Sequence, residues 1–210
     1  MGTRGIAIPR VWHAIVAVMA LIGLVIEYVV TIAGYPGQAA ARTLIYLSFF
    51  TILTNIAVMA ASAGIAFGTG RASGPALRTA ISVQICVVAA IFQLLLAGLL
   101  HHSPLGWWGN MLVHQLVPAL WLIGWLAFEP HGGIDRRAPL WWLIYPALYG
   151  VWTIAHGAPT GWYPYPFLDI AKYGGARIAL NMLLMGVFFA GLGYAFRWID
   201  GRLAGPRTPV

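Results

Sequence analysis

Two side chains in this sequence could together make and break an ester. Thr51 lies in "FFTILTN" and His114 in "MLVHQLVP". A threonine hydroxyl attacks a carbonyl poorly until a base removes its proton, and histidine is the usual base near neutral pH. The chemistry this suggests is acyl transfer. Thr51 attacks an ester carbonyl, His114 passes the proton to the leaving alcohol, and water then releases the acid. The developing oxyanion needs donors. Asn55, one helical turn after Thr51, and Asn110 are candidates. A further group could orient the imidazole, and Glu27 or Asp169 could serve; the sequence does not select between them.

The elements that must position these residues are membrane-spanning helices. The chain has 210 residues, 60% hydrophobic and only 8% charged, far less charge than a soluble domain carries. The apolar residues fall in long runs. Six segments qualify as spans: Val11–Ile32, Thr43–Phe67, Leu77–Leu100, Trp107–Phe128, Pro139–Ala155 and Ala176–Trp198. The fold class is all-α, a polytopic membrane protein of one six-helix domain over residues 1–210. The apolar run after Arg10 is about twenty residues, longer than a signal-peptide core, so it reads as an uncleaved first helix.

The basic residues orient the chain. Arg4, Arg10, Arg71, Arg78, Arg136, Arg137, Arg197, Arg202 and Arg207 fall on one side, and Arg42, Lys172 and Arg177 on the other. The richer side is cytoplasmic, so both termini are expected there. Scattered in this way, the net charge of +7 marks topology and gives no nucleic-acid surface.

In this topology Thr51 and His114 each lie roughly 10–12 Å below the outer membrane boundary at 1.5 Å per residue. Glu27, Gln93 and Asn181 occupy the same layer on three other spans. Gln93 and Asn181, with His156 and Tyr165 from the outer side, are candidates to line a substrate pocket. On the second span Ser48, Thr51, Asn55 and Ser62 share one face, a polar stripe that should look inward. Pro118 should kink the fourth span and free the carbonyl of His114. The cytoplasmic half shows little comparable, only His13 and Ser62. Polar groups in spanning helices also serve as interhelical glue, and that reading fits Gln93 and Asn181 well.

Other chemistries fit less closely. His101, His102, His114, His156 and Asp169 share the outer side, but adjacent histidines on a helix diverge by about 100°, and no His-Glu-x-x-His pattern occurs. No metal site is expected. Lys172, the sole lysine, lies outside the spans, against a retinal protein. Cys86 is the single cysteine, which excludes an internal disulfide.

Three stretches resemble the androgen-induced protein family of membrane hydrolases, especially its bacterial relatives: "FFTILTN" around Thr51, "MLVHQLVP" around His114, and "HGAPTGWYPYPFLDIAKYGGARI". The resemblance runs from about the second span onward. It implies a six-helix intramembrane fold, a Thr51 nucleophile paired with His114, no metal or organic cofactor, and fatty acid esters of hydroxy fatty acids or similar lipid esters as substrates. The sequence departs from the family at Thr54 or Asn55, where eukaryotic members carry an acid, and at Met111, where they carry a second histidine. The expected setting is a bacterial cytoplasmic membrane, with the site toward the extracytoplasmic leaflet. A different class of function, a non-enzymatic ligand-binding protein or transporter using the same polar layer, is the alternative.

Overall fold

The structure is a computed structural model that describes residues 4–69, 74–98 and 103–205. Arg71, Leu100, His101, His102 and Arg207 lie outside the described residues. Within them every element is helical and no strand occurs. Helices α1 (Arg4–Ile32), α2 (Ala39–Leu47), α3 (Phe50–Ala66), α4 (Pro75–Ile91), α5 (Pro104–Met111) and α6 (Val117–Phe128) belong to the first of two compact units, residues 1–131. Helices α7 (Ala138–Trp141), α8 (Ile144–Thr160) and α9 (Ile170–Leu203) form the second, residues 132–210. The sequence reads as one domain; the fold gives two compact units.

Among the described residues four helices are long and apolar enough to cross a membrane: Ala7–Ile32, Pro75–Leu96, Pro104–Phe128 and Ile170–Leu203. The pair α2 and α3 makes a fifth if taken as one broken span, bent by 78°. Such lengths and compositions are consistent with an integral membrane protein. The surface agrees. Ile8, Val11, Ile15, Val18, Ile22, Val25 and Val29 recur every three or four residues along α1, and all are exposed. The opposite face, through His13, Val16, Ala20 and Leu24, is buried. An apolar exterior around a core that admits polar groups is the arrangement lipid favours.

Two expected spans differ from straight helices. The second, Thr43–Phe67, breaks at Ser48 and Phe49, so Thr51 lies in the first turn of α3 and not two turns down a continuous helix. Its depth therefore cannot be counted from Thr43. The fifth, Pro139–Ala155, is split between α7 and the 17-residue α8, at the short end of the spanning range of roughly 17–25 residues.

Within the first unit, α1 packs closely on α3 and on the helix formed by α5 and α6. Small residues permit the approach. A Cβ at Gly23 would lie 3.0 Å from both Leu112 Cβ and Val113 Cγ1, and one at Gly109 would lie 2.7 Å from Ile26 Cγ2 and Glu27 Oε1. These contacts, with Arg78 beside Glu129, set α1 and α4 antiparallel to the helix formed by α5 and α6, while Thr51 beside His114 and Arg10 beside Gly68 set α3 parallel to it. One end of the unit gathers Glu27, Thr51, Phe92 and His114. The other gathers His13, Arg78 and Glu129.

That second cluster was not expected from sequence. Glu129 ion-pairs with Arg78, and its Oε1 lies 3.6 Å from Nε2 of the buried His13. Above them Trp121 donates its indole N–H to Ser82 Oγ at 2.9 Å, and Trp125 donates to Thr79 Oγ1 at 3.0 Å. Arg78 reads in sequence as a topology marker; it also ties α4 to the end of α6. Burial alone would raise the Glu129 carboxyl, but His13 and Arg78 outweigh it and hold it below the usual glutamate value. The unfolded carboxylate titrates near the ordinary value of about 4.3. Stability from Glu129 is therefore complete above that pH and is lost as pH falls through the depressed folded value. Unfolding midpoints in detergent, followed from neutral pH down to about 3, should fall steeply for wild type and less so for Glu129→Gln. Parallel curves would contradict this role.

Candidate functional site

Thr51 and His114 come together. Thr51 Oγ1 lies 3.3 Å from His114 Nε2, a long hydrogen bond of the kind that tightens only when substrate is bound. On the other side of the ring, His114 Nδ1 lies 3.1 Å from the carbonyl oxygen of Asn110. A carbonyl only accepts, so Nδ1 carries the proton. In the neutral imidazole Nε2 is then a bare acceptor, and Thr51 donates to it. This is the tautomer a general base requires. The orienting group is a backbone carbonyl one turn back on the same helix.

Local backbone irregularities build this geometry. Pro118 is absorbed by a π-helical turn over Leu112–Leu116, inside a helix that stays continuous from Pro104 to Phe128. Val117 N–H bonds the carbonyl of Leu112. In that register the carbonyl of Val113 falls to residue 118, and proline has no N–H. The freed acceptor taken up in the structure is thus that of Val113, one residue before the one expected. Asn55 Nδ2 donates to it at 3.0 Å, and to the carbonyl of Thr51 at 2.8 Å. A second π-helical turn, Phe92–Leu96, follows α4. Its first residue, Phe92, stacks on the His114 ring at 4.2 Å between centroids and 24° between planes. The imidazole is held on one face by an aromatic ring and at Nδ1 by a carbonyl.

The inward stripe of α3 is as the spacing predicts: Thr51, Asn55 and Ser62 are all buried, and Ser48, at the break before α3, is buried as well. Thr54 is buried too, so burial does not separate it from Thr51; the contact with His114 does. Asn55 is corrected as an oxyanion donor, because both amide N–H bonds go to backbone carbonyls. Thr51 itself lies in the first turn of α3, and a helix N-terminus is the positive end of the helix dipole, which favours a developing anion nearby. Asn110 is buried, and the contact recorded with the site is through its carbonyl. Glu27 is half-buried on α1, its Oε1 against Gly109, next to Asn110. Gln93 lies on an exposed face of its π turn, away from the buried stripe, which does not suit a pocket residue.

The remaining candidates belong to the second unit and are engaged there. Asp169 caps α9, accepting from Lys172 N–H at 3.0 Å. Asn181 donates to the carbonyl of Phe167 at 2.8 Å. Tyr165 is buried against Tyr149 and Phe167. His156 stacks on Trp152 and meets the edge of Trp162. Among the described residues no three His, Cys, Asp or Glu side chains converge as a metal site would need. His101 and His102 lie outside those residues.

Comparison with known proteins finds no matching family, no matching curated protein and no matching solved structure. The functional reading therefore stands on the geometry.

Asn55→Ala would leave the Val113 carbonyl buried without its donor and uncouple α3 from the π turn. The expected loss is about 1–3 kcal/mol of stability, read as a lower unfolding midpoint in detergent. A midpoint equal to that of wild type would contradict the bridge.

Proposed function

We propose that the protein is an intramembrane hydrolase of lipid esters, with Thr51 as nucleophile and His114 as general base. The observation that supports this most is the Thr51–His114 contact with the proton held on Nδ1. Thr51 Oγ attacks the ester carbonyl carbon while Nε2 takes the hydroxyl proton. The tetrahedral oxyanion is stabilised by the first turn of α3. Its collapse breaks the bond to the alcohol oxygen, which receives the proton from Nε2. Water then attacks the threonine ester, giving its proton to Nε2. The carboxylic acid leaves, and the proton returns to Thr51 Oγ.

The membrane setting completes the reading. Six spans result if α2 and α3 form one broken span and α7 with α8 another. Arg10 and Arg78 lie at the end of the first unit away from Thr51, so the positive-inside rule makes that end cytoplasmic. Both termini are then cytoplasmic and the Thr51 end faces the outer leaflet. Non-helical backbone at membrane depth, as at Ser48 and Phe49, is tolerated where it is buried or lines a cavity. The reading agrees with the resemblance to the androgen-induced protein family and its fatty-ester chemistry, in a bacterial cytoplasmic membrane.

A fluorophosphonate probe tests the nucleophile. Wild type should label at Thr51 on peptide mapping and hydrolyse a long-chain ester. Thr51→Ala should lose both, and His114→Ala should lose roughly 100- to 10,000-fold in rate. Thr54→Ala should label normally. Full turnover by folded Thr51→Ala would end the proposal.

A further inference from the structure

A base that accepts a proton inside the membrane becomes a cation. When Nε2 of His114 takes the Thr51 proton while Nδ1 keeps its own, the ring is an imidazolium. In a site poor in water that charge is costly unless something answers it. The carbonyl of Asn110 meets one edge of the ring, at Nδ1. Phe92 meets a face, 4.2 Å away between centroids and tilted by only 24°. Phe92 is 5% exposed, so water hardly competes for its ring. The face of a phenyl ring is the negative part of its quadrupole and attracts a cation within about 6 Å of its centroid. The backbone departs from regular helix to make this contact. Phe92 opens the π-helical turn Phe92–Leu96, and His114 is the middle residue of Leu112–Leu116. Each of the two π turns among the described residues thus contributes one ring to the stack. Such turns are rare and gather at functional sites. Pro118 accounts for the second, but no proline lies in "FQLLLAGLL" to demand the first.

We propose that Phe92 is a positioning residue that also stabilises the charge on His114. Its ring face holds the imidazolium by a cation–π contact while the proton passes from Thr51 Oγ to Nε2 and on to the leaving alcohol oxygen. The inference rests on the ester-hydrolase reading and adds to it the group that favours the charged form of the base. An aromatic face suits this place. It attracts the imidazolium when it forms, yet it is not a second charge that must stay buried in the membrane when the ring is neutral.

The test replaces Phe92, in the full chain in detergent, by phenylalanines bearing one, two and three ring fluorines. Fluorine drains negative potential from the ring face and nearly keeps its shape. The kcat for methyl oleate should fall stepwise, by roughly 3- to 30-fold at three fluorines, with KM little changed. Phe92→Leu, which keeps an apolar body without a π face, should lose at least as much. The same fluorines at Phe128, which meets Trp12 at the other end of the unit, should leave kcat unchanged. In an active protein, a kcat that ignores fluorination at Phe92 makes the ring a packing element and overturns the inference. A second readout needs no turnover. ¹⁵N NMR gives the fraction of His114 protonated on both nitrogens at one fixed, mildly acidic pH, and that fraction should fall with each fluorine. Every charged group stays in place across the series, so only the ring face changes. If wild type hydrolyses nothing yet the fraction falls, the hydrolase reading fails and the contact with the charged ring stands. A constant fraction overturns the inference whatever the turnover.

Discussion

The carbonyl of Val113 is the point on which the site depends. Pro118 takes away its helical donor, and the buried amide of Asn55 replaces it. An unpaired carbonyl at this depth would be expensive, so the bond fixes α3 against the π turn of the neighbouring helix. The same amide holds the carbonyl of Thr51. One side chain thereby ties the turn that carries the hydroxyl to the turn that carries the imidazole. A proline, an asparagine and a one-residue register shift set a distance between two groups 63 positions apart.

Around that bridge the helices supply different things. α1 contributes close packing through Gly23 and sets the carboxyl of Glu27 against Gly109. α4 ends in a π turn that lays Phe92 on the imidazole. The break before α3 brings a helix N-terminus, with its positive dipole end, to Thr51. The far end of the unit is fastened separately, by Arg78, Glu129 and the two indoles above them. Polar groups thus sit at both ends of the packed interior, while the outward face of α1 stays apolar.

The helical class, most of the spans and the inward stripe on α3 were legible in the sequence, because run length and 3.6-residue periodicity report them directly. So was the pairing of Thr51 with His114. The break at Ser48 and Phe49 was not, since "LSFFTIL" holds neither glycine nor proline and its apolar count reads as continuous helix. The π turns were hidden for a similar reason: Pro118 announces a lost hydrogen bond but not which carbonyl the register will expose. Asn55 looked like an oxyanion donor because sequence cannot show where an amide points. Arg78 and Glu129 were missed because a charge beside a span reads equally well as a topology signal and as half of an ion pair. Asp169 reads in sequence as a partner for His114, yet its place before α9 is that of an N-cap, a signal visible in "LDIAK".

The proposed chemistry turns on which nitrogen of His114 bears the proton. The direct measurement is the ¹⁵N NMR spectrum of the His114 side chain in the resting protein near neutral pH, assigned by comparison with His114→Gln. The structure predicts a proton on Nδ1, held by the Asn110 carbonyl, and a bare Nε2 facing Thr51. A proton on Nε2 would leave Thr51 without a base and contradict the central claim.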